Sequence, residues 1–391
     1  GAGISGIGSA YHLQQQCSGK SYVILEMKDT FGGTWETHKY PGVRSDSDLY
    51  TFGYRFKPWI GAPIASADEI LKYMGEVIEE NHIGPNIRYG HRITGCKWSS
   101  ADNRWTVEAI RLSDGSKAVF TCNFLWMCQG YYDHEKPYIP DWEGLSDYKG
   151  KFVHAQLWDP RTDYAGKRVL VIGSGATAAT VVPAFAEKAA HVTMLQRTPS
   201  YMVSLPAEDA AANWARRHLP PQFAYDLTRL RKIVFQQIFF RLARSRPGKT
   251  RDRLLALVRE QLGPDYDIGK HFTPPYNPWE QRLCLVPDND MFIALREGKA
   301  SIVTDHIERF TEKGLKLKSG QELEADIIVT ATGLKLHMLG GAEIVVDGAK
   351  IETGQTYTYK GCMLSGVPNL AFVFGYTNAS WTLKCDLTCE Y

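Results

Sequence analysis

The chain has 391 residues, enough for two or three domains, and its 44% hydrophobic and 12% aromatic content supports sizeable cores. A net charge of only +2 gives no global case for a nucleic-acid partner. The eight cysteines (17, 96, 122, 128, 284, 362, 385, 389) form no Cys-x-x-Cys pair, which argues against a metal site and a redox dithiol and fits free thiols in a reducing cytoplasmic setting; no secretory signal and no apolar run of membrane-spanning length is present.

Gly1-Ala2-Gly3-Ile4-Ser5-Gly6 has the form of a dinucleotide-binding turn. A helix and the strand Tyr22-Val23-Ile24-Leu25 are predicted to follow, ending at Glu26, whose carboxylate would accept hydrogen bonds from a free ribose diol. Such a turn needs a strand before it, so residues upstream of Gly1 are expected. The pattern after Trp381-Thr382-Leu383 likewise points to a segment beyond Tyr391. Residues 31–66, rich in Gly, Pro, Tyr, Trp and Asp, read as an irregular site-forming loop. Within it, Gly32-Gly33-Thr34-Trp35 lets backbone approach a flat ligand that Trp35 can cover. Residues 68–81 open a helix with acidic residues in the first turn. Residues 87–128 read as short alternating strands, with a hairpin at Asp114-Gly115 and a buried strand at 124–128.

After a connector over 131–166, Lys167–Ile172 supplies the strand required by a second fingerprint, Gly173-Ser174-Gly175-Ala176-Thr177-Ala178, and 176–189 supplies its helix. The next strand, His191–Leu195, ends at Gln196-Arg197, and an arginine there suits a 2′-phosphate, which points to NADPH. One chain with both fingerprints implies electrons passing from a nicotinamide to a second, resident cofactor. Residues 207–262 interrupt this domain with helical sequence carrying eleven Arg/Lys between 213 and 253 against two aspartates. It reads as a helical insertion that buries its apolar stripe and solvates its arginines; the alternative is a peripheral membrane-surface helix or an anionic-ligand face. The strand 326–330 runs into Ala331-Thr332-Gly333, and 371–374 leads into a strand-to-helix turn beside a ligand. The expected fold is α/β, with two Rossmann-like dinucleotide-binding domains and a helical insertion in the second. Residues 1–145 and 325–391 would form the first domain, 146–206 and 263–324 the second, and 207–262 the insertion.

Three stretches carry a family resemblance. Tyr148 to Trp158 fits (F/Y)-x-G-x-x-x-H-x-x-x-W, with Gly150, His154 and Trp158 at the fixed positions, and resembles the fingerprint of Baeyer–Villiger monooxygenases. The related N- and S-hydroxylating flavin monooxygenases carry Tyr or Phe where Trp158 stands. Gly33 to Asp46 fits a second pattern of that family, G-x-W-x-x-x-x-(F/Y)-P-G-x-x-x-D, at every fixed position. Pro278-Trp279-Glu280-Gln281-Arg282 resembles the segment bearing the family's active-site arginine, here Arg282. Many relatives have lysine where Gln281 stands, which leaves Arg197 as the main phosphate reader. The stretches 45–50 and 365–384 look closest to the ethionamide-activating type.

The resemblance covers essentially the whole chain and implies FAD and NADPH as cofactors. Gly1, Gly3, Ser5, Gly6, Glu26, Gly33, Thr34, Trp35, Asp46, Ile93 and Asn378 would serve FAD. Gly173, Ser174, Gly175, Ala176, Thr177, Gln196, Arg197, Gln281 and Arg282 would serve NADPH. The implied catalytic residues are Arg282, which stabilises a C(4a)-peroxyflavin anion, and Asp46, which orients that arginine. His154 reads as a structural hydrogen-bonding residue. The implied reaction is insertion of oxygen from O2 beside a small ketone's carbonyl to give an ester or lactone, with side activity on sulfides. The competing readings are an N/S-hydroxylating flavin monooxygenase and a non-catalytic flavin- or NADPH-binding module; the oligomeric state and the physiological substrate stay open.

Overall fold

The computed structural model describes residues 1–281 and 283–391. The first fingerprint leads into α1 (Ile4–Gln16), then β1 (Ile24–Leu25), the short helices α2 (Thr34–Thr37) and α3 (Leu49–Phe52), and α4 (Ala67–Glu80). Helix α4 starts where the sequence predicts, because Ser66 and Glu69 form a capping box there. Strand β2 (Ile87–Arg88) pairs in parallel with β1. Strands β3 (His91–Ser99), β4 (Arg104–Arg111) and β5 (Lys117–Cys122) form an antiparallel meander, and β4 and β5 meet across the Asp114-Gly115 turn. The fully buried Trp105 anchors this meander's core. Strand β6 (Leu125–Met127) completes the first half.

The second half opens with β7 (Lys151–His154), β8 (Arg168–Ile172), α5 (Ala176–Ala186), β9 (His191–Gln196) and β10 (Tyr201–Leu205). The insertion follows as α6 (Ala210–His218), α7 (Pro221–Ser245) and α8 (Pro247–Leu262). Then come α9 (Ile268–His271), β11 (Leu283–Pro287), α10 (Asp290–Arg296), β12 (Ala300–Thr304), the meander β13 (Ile307–Thr311), β14 (Gly314–Leu317) and β15 (Glu322–Glu324), and β16 (Ile327–Thr330). The last stretch holds β17 (Glu343–Val346), β18 (Ala349–Lys350), β19 (Thr358–Tyr359), β20 (Met363–Leu364), β21 (Leu370–Phe372) and α11 (Trp381–Glu390).

The second fingerprint sits in a five-stranded parallel sheet of order β12-β9-β8-β16-β7. Val169, Val171, Val192, Met194 and Val329 pack there against Val181, Val182 and Phe185 of α5. A parallel sheet covered on its faces needs such continuous apolar runs.

Strand 327–330 departs from the expected partition. The sequence places it with the returning part of the first domain, yet β16 hydrogen-bonds to both β7 and β8 of the second sheet. Its four consecutive buried residues identify a central strand, but burial alone does not say of which sheet. The return begins after Gly333, where β17 pairs with β3 and β21 pairs with β6.

The insertion departs too. Helix α7 buries Ala224, Tyr225, Thr228, Arg229 and Ala243. The apolar stripe expected to be buried is largely outside: Phe223, Leu227, Leu230, Val234, Ile238 and Leu242 are exposed. Helix α7 carries two apolar faces, and only one packs on the body of the protein.

Candidate active site

A cavity of about 2080 Å³ is lined by residues from both ends and the middle of the chain. It is lined by Gly1, Gly3, Ser5, Gly6, Glu26, Gly33, Thr34, Trp35, Asp46, Ile93, Gln281 and Asn378, so every described residue expected at the flavin lies on one surface, and Gln281, expected beside the nicotinamide nucleotide, joins them. Small-molecule sites occupy roughly 300–1,000 Å³, so this space suits a dinucleotide with a second molecule beside it. The walls fit the flavin nucleotide chemically. Gly33 has φ +57°, and a Cβ there would come within 3.2 Å of the Gly3 Cα, so the two glycine turns stack backbone on backbone and leave open polar surface. Glu26 is buried, and its carboxylate accepts the N–H of Ala2 (2.6 Å) and of Lys28 (2.9 Å), which fixes it at the cavity wall where a ribose diol would lie. Arg282 lies outside the described residues; its neighbours Gln281 and Leu283 both line the cavity.

The Gly33–Asp46 motif acquires a mechanical meaning. Tyr40 is held against α5, where it shares a hydrogen bond with Thr177 of the second fingerprint, and burial raises its pKa to about 12. Gly42 has φ +75°, and a Cβ there would lie 2.7 Å from the Ala184 Cβ of α5. Arg44 then pairs with Asp290 of α10 at 2.6 Å. On the far side of Asp46, Ser47 N–H donates to the Ser45 hydroxyl (3.0 Å), and the Asp48 carboxylate caps α3 through Tyr50 N–H (2.9 Å). The loop is pinned on both sides to different halves of the protein, and Asp46 projects between the pins into the cavity.

The Gly150–Trp158 fingerprint lies away from the cavity. His154 accepts the N–H of Gln156 at Nδ1 (3.1 Å) and donates from Nε2 to the Gly333 carbonyl (3.2 Å). Burial lowers its pKa, opposed by the Gly333 bond, which favours the neutral ring those contacts require. Trp158 is buried against Phe185 of α5, with ring centroids 5.1 Å apart. The Gln156 amide donates to the Asp133 carbonyl at 2.9 Å, and Asp133 lines the cavity. The fingerprint thus clamps the crossover at Ala331–Gly333 and the connector to the nucleotide sheet.

The second fingerprint also stands apart: Gly173, Ser174, Gly175, Ala176, Thr177, Gln196 and Arg197 do not line this cavity. Space is open around Gly175 at the N-terminus of α5, where a phosphate would be favoured. At the end of β9 the two expected readers differ. Arg197 is exposed, whereas Gln196 is buried and its amide donates to the His271 carbonyl (2.8 Å) and the Thr304 hydroxyl (2.9 Å). Gln196 is turned into the sheet, whereas Arg197 faces solvent.

Lys232, Phe235, Gln236 and Phe239 of α7, with Trp279, form a wall of the cavity, and none was singled out as a site residue from sequence. The 232, 235, 236, 239 spacing is one helical face, and that was the available signal. Lys232 bridges Asp48 (2.7 Å) and Asp209 (2.8 Å). Burial penalises its ammonium, but the two carboxylates outweigh that and raise its pKa. Burial correspondingly raises the pKa of Asp48 against the pull of Lys232. This bridge ties the insertion to the Asp46 loop. Trp279 adopts φ +66° beside Phe240 (ring centroids 5.8 Å apart), a strained backbone of the sort that gathers at functional sites.

Comparison with known proteins agrees with this geometry. Residues 1–57 match an NAD(P)-binding Rossmann-like domain, and residues 66–214 match the flavin-binding monooxygenase-like family. The chain is 50% identical over 393 residues to the FAD-containing monooxygenase EthA of Mycolicibacterium smegmatis, covering 100% of this chain and 80% of that protein. It is 47% identical over 393 residues to the probable FAD-binding monooxygenase AlmA of an Acinetobacter species, covering 100% and 79%. Among solved structures, OTEMO complexed with FAD and NADP matches with a TM-score of 0.80 at 22% identity over 100% of this chain and 83% of that one. The epsilon-caprolactone-bound structure of cyclohexanone monooxygenase matches with a TM-score of 0.82 at 22% identity, over 100% and 84%. These structural likenesses bear on the fold, and they share the two-nucleotide plan expected from the paired fingerprints. On the sequence identity and its coverage, the chain belongs to the FAD-containing monooxygenase family that includes EthA.

Proposed function

We propose that this monooxygenase draws hydride from NADPH and inserts one oxygen atom of O2 beside a ketone carbonyl, giving an ester or lactone. The observation that carries the reading is the convergence of the first fingerprint, Asp46, Gln281 and the α7 wall on a single cavity. The lactone bound by cyclohexanone monooxygenase, a neighbour in fold, is of the product class proposed. FAD, when bound, supplies the two-electron chemistry that activates O2. Gly1, Gly3 and Gly6 would bring backbone to its pyrophosphate, and Glu26 would accept from its ribose. Gly175 and Arg197 would hold NADPH, with Arg197 reading the 2′-phosphate.

By the family resemblance, Arg282 would supply the fixed positive charge that stabilises the negative charge developing on the oxygen of the attacked carbonyl. By the same resemblance, Asp46, which lines the cavity, would be the carboxylate that orients it. Lys232 and Asp48 would hold the α7 wall in place, and Phe239 and Trp279 would keep water from the reacting atoms. The test is Arg282→Ala with a cyclic ketone. The variant is expected to retain bound FAD and lose ester formation. Full ketone turnover in the variant refutes the assignment.

A further inference from the structure

The outward face of α7 is a continuous apolar row with no function assigned. Phe223, Leu227, Leu230, Val234, Ile238 and Leu242 recur at three- and four-residue spacing, each between 45% and 58% exposed. At 1.5 Å per residue the row is about 28 Å long. It is not core that has slipped outward, because the opposite face of the helix is buried through Ala224, Tyr225, Thr228 and Arg229. Single exposed apolar residues are ordinary, but a contiguous row of this length marks an interaction surface. Trp214, on the adjoining α6, adds a 57% exposed indole, a side chain suited to the water–lipid boundary.

Charge identifies the partner. Residues 241–253, at the end of α7 and the start of α8, carry Arg241, Arg244, Arg246, Lys249, Arg251 and Arg253 against one carboxylate, Asp252. All six cations are exposed. A second copy of the chain would bring the same cationic stretch and the same single local counterion, so it complements this surface poorly. An anionic lipid surface complements it well: a helix with an apolar face and flanking arginines lies in the interface plane, its apolar side at the headgroup–acyl boundary and its cations on phosphates. No helix among the described residues is long and apolar enough to cross a membrane, so the contact is peripheral.

We propose that α7, with the start of α8, docks the protein on the surface of an anionic phospholipid bilayer. Phe235 is 63% exposed and also lines the cavity, so the docked face adjoins the cavity rim. Under the function proposed above, apolar substrates dissolved in the bilayer would reach the cavity from that side. The docking itself does not depend on that function.

The test is co-sedimentation of the chain with vesicles of phosphatidylcholine alone and of phosphatidylcholine with phosphatidylserine. Binding is expected to the anionic vesicles, with loss at raised salt. Leu230→Ser/Ile238→Ser is expected to weaken the partitioning about tenfold or more, because two apolar anchors are removed. Arg241→Glu/Arg244→Glu, at exposed sites where folding is not at issue, is expected to abolish the preference for anionic lipid. All of these residues lie outside the cavity, so oxidation of a water-soluble ketone should continue unchanged, and that readout separates failure of docking from failure of the catalytic reading. Absence of wild-type binding to anionic vesicles overturns the proposal. So does equal binding by both variants. A wild-type dimer dissolved by Leu230→Ser/Ile238→Ser, without vesicle binding, would assign the face to self-association instead.

Discussion

Replacing Gly42 with alanine isolates the contact that positions the Asp46 loop. Gly42 has φ +75°, and its added Cβ would lie 2.7 Å from the Ala184 Cβ and 3.2 Å from the Thr180 carbonyl oxygen. Neither neighbour can swing aside, because one is attached directly to the α5 backbone and the other belongs to it. An L-residue held in the left-handed region costs about 1–2 kcal/mol, and overpacking of this kind adds about 1–3 kcal/mol. The loss of chain entropy in the unfolded state returns about 0.4–1 kcal/mol. Gly90 supplies the control. Its φ is +68°, and an added Cβ would meet nothing within 4 Å, so Gly90→Ala carries the backbone strain and the entropy gain without the overlap. The difference between the two variants, read from urea unfolding of each, should therefore be the overlap alone, about 1–3 kcal/mol. Ketone-dependent NADPH oxidation should fall in Gly42→Ala and not in Gly90→Ala, with flavin retained in both. Equal stability of the two variants would refute the claim that Gly42 is pressed against α5.

Three further outcomes follow from the geometry. Burial, followed by the charges of His134, Lys28 and His154, holds the His38 pKa at about 4, against 6.5 for the free side chain. The unfolded chain therefore takes up this proton first, so the stability is complete above pH 6.5 and is lost as pH falls toward 4. About 2.5 pKa units correspond to about 3 kcal/mol, and His38→Asn should flatten the pH dependence of the urea midpoint over that window. His154→Ala, which leaves the Gln156 N–H and the Gly333 carbonyl without partners, should cost about 1–3 kcal/mol in the same assay while the flavin spectrum stays unchanged. Arg197→Ala should raise KM for NADPH about ten- to a hundredfold, the worth of a charge-assisted contact, and leave NADH nearly unaffected; equal effects on both nucleotides would remove Arg197 from the 2′-phosphate.

Local chemistry carried most of what could be read from the chain before its structure. Turns, helix starts and strand ends depend on neighbours in sequence, so both fingerprints, the acidic first turn of α4 and the Asp114-Gly115 hairpin stand where the residues place them. The Gly33–Asp46 pattern was legible as a motif, but its purpose was not. That purpose depends on Ala184 and Asp290, which are far along the chain. Tertiary choices were also hidden. An apolar run such as 327–330 satisfies either of two sheets, and only the pairing with β7 and β8 decides between them. Helix α7 has apolar residues on two faces, so periodicity alone could not say which one packs, or that Lys232, Phe235, Gln236 and Phe239 would wall the cavity. At the end of β9, Gln196 is the last residue inside the covered sheet and is buried, while Arg197 lies just past the strand and is exposed.

The central claim is that this chain inserts oxygen from O2 into a carbon–carbon bond beside a carbonyl, with Arg282 supplying the charge. Turnover of a cyclic ketone under isotopically heavy O2 with NADPH, followed by mass spectrometry of the product, tests it most directly. The account predicts a lactone carrying one heavy oxygen atom from the wild-type protein and none from Arg282→Ala with FAD still bound. NADPH consumed without a labelled lactone, or a labelled lactone formed equally by Arg282→Ala, would contradict it.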